Sequence, residues 1–374
     1  MIHFNQEIVV GASMDNVVSA SMDILSFQGP VNMLQLLIYR REDCMGEYIR
    51  AITNIDLVED EIFHLYPALL RLLLEDKTTK RSILWATSDY ESNGPEYKDT
   101  AEIKVEQITG EHRLLIRPRI AKELNEQLSR TRDKAEVFTP SWICNKQNNL
   151  VDTAWFGREN VFNIESDKTW LPTTEKVVFP SELGKTWQDY VSENRLEITC
   201  GEAPYLVSRY DTVTGERIDP KRRIGLLDRK IRIVNENVDS EPEWMHWTEI
   251  AFQSIYGFEW QGDNVLLARE NLLLSFIDYY KAKFTVPPIP EYLMRIAEIL
   301  AWNIWQMDGL KFVVPNSCHD QEIIEYSLFA EIKKMRPCEG CLKNNPKQHN
   351  GIYCKVKDWK TGEVVDFVSI ATKR

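Results

Sequence analysis

The sequence predicts an α/β protein built on a doubly wound parallel sheet, preceded by an N-terminal α/β domain and followed by a small C-terminal zinc-binding module. Three observations predict it. After residue 190, short strand-like runs alternate with long helical stretches, the pattern of a parallel sheet covered on both faces. The chain has 374 residues, 43% of them hydrophobic, which suffices for two or three domains with real cores. Four of the seven cysteines fall between 318 and 354, and clustering of that kind points to metal before disulfide.

Taken in order, residues 1–130 read as mixed α/β. EIVVGA, AEIKVEQI and RLLIRPRI are strand-like, and the stretch Asp60–Glu75 is apolar nearly all round, as a buried helix would be. IAKELNEQLSRTRDKAE predicts a helix running into VFTP, where Pro140 pushes Thr139 out of helical geometry. From 140 to about 195 the chain is rich in Trp, Asn and Pro and predicts long ordered loops. RLEIT is then a strand followed by the tight turn CGEAP. A second strand, SIYGFEWQ, leads into the helix LLARENLLLSFIDYYKAKF. A third strand-and-turn follows the helix YLMRIAEILAWNIW, where NIWQMDGLKFVVP ends in strand-like residues.

In doubly wound sheets, ligands lie beyond the carboxyl ends of the strands. The residues in those places are Cys200-Gly201-Glu202-Ala203-Pro204, where small residues allow close backbone approach, then Glu259, an acceptor suited to ribose hydroxyls, and Asp308, suited to an adenine amine. Together they would cradle an adenosine. Taken alone, each is more often an ordinary turn or a solvated cap.

The succession RDKAEVFTP, LEITCGEAPYLVSRYD, YGFEWQGDNVLLARENLLL and NIWQMDGL resembles the S-adenosylmethionine motifs of adenine-N6 DNA methyltransferases of restriction-modification systems, over residues 131–312. The resemblance implies a Rossmann-like methyltransferase sheet there, with S-adenosyl-L-methionine as cofactor. It implies that Thr139 and Pro140 help hold the methionine part, and that Glu197, Cys200 and Gly201 form the first strand and turn. Glu259, with Trp260 beside it, would take the ribose, and Asp308 with Gly309 the adenine. Ala203 replaces the second glycine of the family's turn. An insertion over about 212–250 carries DPKRRIGLLDRKIRIV, a basic cluster expected as a solvated hairpin or a phosphate contact. Trp302 and Trp305, near Asp308, are candidates for an aromatic wall on the adenine.

The family's catalytic loop, Asp/Asn/Ser-Pro-Pro-Tyr/Phe, holds the flipped adenine in line with the methyl group. Here the only Pro-Pro is in Val286-Pro287-Pro288-Ile289, which has neither polar group nor ring and precedes Asp308. The chain closes with YCKVKDWKTGEVVDFVSIATKR, near where the strand bearing that loop would be expected. No catalytic residue is therefore assigned. The resemblance implies a split enzyme whose second subunit carries the catalytic loop and target recognition, with double-stranded DNA bound through the complex. A catalytically inactive, methyltransferase-like interaction or regulatory protein, and a truncated chain, remain as alternatives.

Cys338-Glu339-Gly340-Cys341 is a knuckle suited to tetrahedral zinc. Cys318 and Cys354 are the expected remaining ligands, with His349 or His319 as substitutes, and a metal here would be structural. Reduced thiols without metal are the alternative. Lys plus Arg is 45 and Asp plus Glu 57, a net charge of −12, which excludes a free-standing polycationic nucleic-acid binder and places the missing positive charge on a partner. No run is apolar enough to span a membrane and the first residues do not read as a signal peptide, so a cytoplasmic protein is expected.

Overall fold

The computed structural model describes residues 9–10, 59–122, 127, 130–132, 139–326 and 331–372. Cys44, and most of the helix expected over 120–136, lie outside them. Described first is β1 (Val9–Val10), then α1 (Glu59–Leu65) and α2 (Pro67–Leu74). The single helix expected over 60–75 is thus two. Pro67 has no N–H to give and starts the second helix at its first position, while Tyr66 leaves helical geometry at φ −146°. Leu69, Leu70, Leu73 and Leu74 point into the core. β2 (Glu75–Asp76) and β3 (Arg81–Ser82) pair as a short hairpin. The strands expected within 101–120 reduce to one bridge, Leu84 to Glu102, and to short 3-10 turns.

Where loops were expected, α3 (Ser141–Phe156) is a sixteen-residue helix. Its inward face is polar, so it leaves no apolar period to read. Asn148 Nδ2 donates to the carbonyls of Tyr205 and Ile224, Asn145 exchanges hydrogen bonds with Asn163, and Asp152 accepts from Tyr190. The hairpin β4 (Asn163–Ser166) and β5 (Thr169–Pro172) follows, then α4 (Trp187–Ser192), started by a Thr186–Asp189 capping box.

The central elements are β6 (Arg195–Ile198), α5 (Leu226–Asn237), α6 (Glu241–Gln253), β7 (Ile255–Glu259), α7 (Gly262–Phe284), α8 (Pro290–Asn303) and β8 (Ile304–Gln306). The three predicted strands are all present, parallel, and adjacent, in the order β1-β6-β7-β8. Within the basic insertion Lys221 and Arg222 lie exposed in a 3-10 turn, and the rest of the cluster is the helix α5 rather than a solvated hairpin. Arg229 is buried on Asp152, Asn145 and Asn149, and Lys230 is buried against the carbonyls of Val191 and Glu193 and the Ser254 hydroxyl. Those cations are used inside the fold and do not meet phosphates.

A doubly wound sheet needs a reversal of strand order, and none occurs among the described residues. Right-handed crossovers that always step the same way deposit their helices on one face. One face of the sheet, with Ile255, Ile304 and the Cys200 side chain, accordingly joins α5–α8 and α2 in a single hydrophobic cluster reaching from Ile62 to Ile304. The other face carries Leu196, Tyr256, Phe258 and Trp305. The C-terminal segment covers it. After β9 (Gln321–Tyr326), β10 (Glu331–Arg336) and α9 (Glu339–Lys343) come β11 (Lys355–Lys357), β12 (Val364–Asp366) and α10 (Phe367–Ala371), and Cys354, Val356 and Phe367 complete this second cluster. The architecture is a mixed α/β fold with one parallel sheet and several two-stranded ones. No helix among the described residues is long and apolar enough to cross a membrane.

Candidate functional site

Glu197 ends β6 fully inside the protein, and its carboxylate accepts the backbone N–H of Tyr205 (3.3 Å) and Leu206 (3.2 Å). Burial pushes its carboxyl well above the usual range, against the two backbone hydrogen bonds, and the nearby Glu259 charge pushes the same way as burial. The turn it braces is tight: Thr199, Gly201 and Ala203 all have left-handed backbone, at φ 49°, 51° and 63°. Gly201 does this without strain, whereas Ala203 carries a Cβ penalty of about 1–2 kcal/mol in that region. Replacing Ala203 by glycine is therefore expected to raise stability by up to about 1 kcal/mol, once the extra freedom of unfolded glycine is set against the relief. Urea unfolding checks it, and a clear loss of stability would count against the strain assignment.

Glu259, at the end of β7, joins this turn to the next one. One carboxylate oxygen accepts Gly201 N–H (3.0 Å), and the other accepts Trp260 N–H (2.8 Å) and Gln261 N–H (3.3 Å). Cys200 lies beneath, its N–H on the Phe258 carbonyl, with a thiol raised by burial and by the charges of Glu197 and Glu259. Nothing lies within 4 Å of where a Cβ on Gly201 would be, so the turn opens onto free space.

Asp308 follows β8. Its carboxylate accepts Leu310 N–H (3.0 Å) and Lys311 N–H (3.1 Å) and pairs with Lys311 Nζ at 3.4 Å, while its backbone N–H bonds the Val313 carbonyl. Gly309 lies against the Phe258 ring. Thr139 and Pro140 lead into α3 and are tied to the loop after the first turn: the Thr139 carbonyl accepts the Thr212 hydroxyl (3.1 Å), and Asp211 accepts Ser141 N–H (2.8 Å). The structure thus joins Glu197, Cys200, Gly201, Glu259 and Trp260 directly, and reaches Thr139 and Pro140 through the 205–212 loop. Trp302 and Trp305 do not line this edge. Trp302 donates to Glu298 under Lys80, and Trp305 packs in the second core cluster with its N–H on Met307 sulfur.

Several organising residues gave no sequence signal. Gln306 holds the Leu84 N–H and carbonyl and the Trp260 carbonyl, each at 2.8 Å. The backbone of 84–86 runs so close to the start of α7 that a Cβ on Gly262 would sit 1.9 Å from the Leu84 oxygen. Beside it, fully buried Asp263 receives the Tyr90 hydroxyl (2.8 Å), Arg130 (2.9 Å) and Lys122 (3.3 Å). Burial would raise its carboxyl, but the charges of Arg130 and Lys122 and the Tyr90 hydroxyl outweigh that and hold it at about 2.

A second centre lies beyond Asp308. Cys318, Cys338, Cys341 and His349 bring their sulfur and imidazole nitrogen atoms within 4.8 Å of one another. Cys318 Sγ is 3.2 Å from Cys338 Sγ and 3.6 Å from Cys341 Sγ, and His349 Nδ1 is 3.4–3.7 Å from the three sulfurs. Zinc bonds of ~2.3 Å to sulfur and ~2.0 Å to nitrogen, set tetrahedrally, require ligand separations of about 3.5–3.8 Å, so the cluster fits a structural zinc ion. The knuckle is formed, with Cys341 N–H on Cys338 sulfur at 3.4 Å, and the Cys338 thiol is lowered by hydrogen bonds from Cys318, Cys341 and Asn350 despite burial, which acts the other way. The fourth member of the cluster is His349, and the expectation of Cys354 is corrected. Cys354 is fully buried in the second core cluster, its thiol directed at the Gln306 carbonyl. His319 is exposed with its ring on the Ser317 carbonyl, outside the cluster.

Comparison with family models, curated proteins and solved structures finds no match to this chain.

Proposed function

We propose that this chain is the S-adenosyl-L-methionine-binding subunit of a split adenine-N6 DNA methyltransferase with a Rossmann-like cofactor sheet. The observation that carries the reading is the Glu259 carboxylate bridging two adjacent strand ends and bonded to Gly201 N–H. An acid fixed beside an open small-residue turn, at the carboxyl edge of parallel strands, is what a ribose with two adjacent hydroxyls needs. Glu197 supports it from below by setting the turn, and Asp308, just past the third strand, offers an acceptor for an adenine amine. Thr139 and Pro140 would border the methionine end, and Trp260 the ribose side. When bound, the cofactor supplies an electrophilic methyl group.

This chain's residues would bind and orient the cofactor. None supplies the polar group and ring that hold a flipped adenine, so a second subunit would bring that loop and read the target. The test is titration calorimetry with S-adenosylmethionine on the chain alone and with its candidate partner. Micromolar binding is expected, weakened at least tenfold by Glu259→Ala with the fold intact. Absence of binding in both settings would sink the reading in favour of a non-enzymatic interaction protein. Labelled methyl transfer to DNA by this chain alone would refute the split.

A further inference from the structure

One residue of the turn Cys200-Gly201-Glu202-Ala203-Pro204 is neither small nor apolar. Glu202 lies between left-handed Gly201 and Ala203 and is turned inward, 2% exposed, whereas the space beside Gly201 is open. A carboxylate taken out of water is costly unless its oxygens are hydrogen-bonded. Both are used: one accepts Arg119 N–H (2.6 Å) and the other accepts the Tyr210 hydroxyl (2.5 Å). The second length is that of a charge-assisted O–H···O bond, about twice as strong as a neutral one. Asn271 Nδ2, from α7, donates to the Glu202 carbonyl and to the Tyr210 oxygen, each at 3.1 Å.

These bonds tie together two parts of the carboxyl-edge site. On the Glu202 side, Gly201 N–H is held by Glu259, at the place proposed for the ribose. On the Tyr210 side, the next two residues hold the segment proposed for the methionine end. Asp211 accepts Ser141 N–H (2.8 Å), and the Thr212 hydroxyl donates to the Thr139 carbonyl (3.1 Å). Arg209, just before Tyr210, anchors the same loop to Asp278 of α7 at 3.3 Å. Leu206 and Val207 N–H bond the Ala203 carbonyl, so the chain leaves the turn in a fixed direction, and the Glu202–Tyr210 bond closes residues 202–210 into a ring.

We infer that Glu202 and Tyr210 are positioning residues whose bond is a strut between the two ends of the site. The strut sets the separation of the Gly201–Glu259 end from the Thr139–Pro140 end. It thereby favours a ligand that spans both, an adenosine extended by an amino-acid chain, over adenosine alone. Both side chains act through the backbone they hold, since Tyr210 is buried as well. The choice of ligand rests on the cofactor reading proposed above and deepens it. The mechanical coupling rests on the hydrogen bonds alone, so the two can fail separately.

The experiment compares S-adenosylmethionine with adenosine, which lacks the methionine end, by titration calorimetry on the full chain. Tyr210→Phe should weaken S-adenosylmethionine about tenfold, the equivalent of one charge-assisted hydrogen bond, and leave adenosine nearly unchanged. Glu202→Ala also frees the turn itself and should weaken both ligands. Glu202→Gln keeps an acceptor for Arg119 N–H and should restore most of the adenosine affinity. Tyr280→Phe takes a tyrosine hydroxyl from Glu241, far along α7. It should lower the thermal midpoint with both affinities intact, so a general loss of stability does not reproduce the Tyr210 pattern. Without ligand, amide exchange at Ser141 and Ala203 should quicken together in Tyr210→Phe. Equal weakening of the two ligands in that variant, or none, would overturn the strut and leave the cofactor reading in place. A parent chain that binds neither ligand would overturn the cofactor reading and the ligand selection with it. The coupling is then judged by exchange, and an unaltered Ser141 amide in Tyr210→Phe refutes it.

Discussion

Removing the metal from the Cys318, Cys338, Cys341 and His349 centre is expected to unfold the segment between Val313 and Tyr353 while the sheet and its helices stay folded. Among the described residues between Val314 and Cys354 few side chains other than Cys338 are buried, so an ion held by the cluster would take the place of a hydrophobic core. A structural zinc site contributes on the order of 10–16 kcal/mol to the folding of a small module, more than such a segment would otherwise have. Cys338→Ser should act in the same direction by removing one of four ligands. The effect should not stop at the module. Val313 bridges both Asp308 and Tyr353, and the Tyr353 hydroxyl accepts His349 N–H at 2.9 Å. Loosening His349 therefore loosens the loop that carries Asp308, and cofactor affinity should fall with it. Hydrogen exchange with and without chelator reads the first effect, and calorimetry reads the second. Metal analysis adds a discriminating control: Cys354→Ser should keep one zinc per chain, and Cys338→Ser should lose it. Unchanged exchange over 313–353 after Cys338→Ser would remove the metal from its structural role.

The second large effect is expected at Asp263. Deleting its carboxylate with Asp263→Ala leaves Lys122 and Arg130, each 1% exposed at the side chain, without their shared anion. Breaking a buried pair in this way typically costs about 3–5 kcal/mol. The same residue makes stability depend on acid. Its folded carboxyl sits at about 2, below the ordinary 3.8, so the native state binds its proton less readily than the unfolded one. The associated stabilisation, about 2 kcal/mol, is complete above pH ~4 and is lost as pH falls through 2. Urea unfolding at pH 7 and pH 3 reads both effects. An Asp263→Asn variant as stable as the parent at pH 7 would refute the assignment.

The strands at the carboxyl-edge site were legible because apolar β-branched and aromatic runs and a helical period report burial directly. RLEIT and SIYGFE became β6 and β7, while NIWQMDGLKFVVP supplied β8 from its first residues and only isolated bridges at Val313, and Glu197, Gly201 and Glu259 lie together at two strand ends. Features built from polar interiors were not legible. The helix α3 turns Asn145, Asn148 and Asp152 inward, so it shows no amphipathic face that a hydrophobicity pattern detects, whereas α5 has an apolar face in Leu226, Leu227, Ile231 and Val234, and what the sequence hid there was the burial of Arg229 and Lys230. Contacts between distant segments were invisible as well. Nothing local in Tyr90, Lys122 or Arg130 announces Asp263, and the backbone approach that requires Gly262 depends on residues far away in the chain. At the metal, spacing identified the Cys338–Cys341 knuckle. The choice between Cys354 and His349 needed knowledge that Cys354, just before β11, packs into the core on the far face of the sheet, which the local sequence does not contain.

The one-sided placement of the helices also bears on the order of synthesis. β6, β7 and β8 and every helix between them emerge first and can assemble at once, but the opposite face, with Leu196, Tyr256, Phe258 and Trp305, waits for Cys354, Val356 and Phe367. At roughly 5–20 residues per second of translation, that aromatic surface stays bare for several seconds. A nascent chain halted after β8 should therefore recruit chaperones, and one extended through α10 should release them.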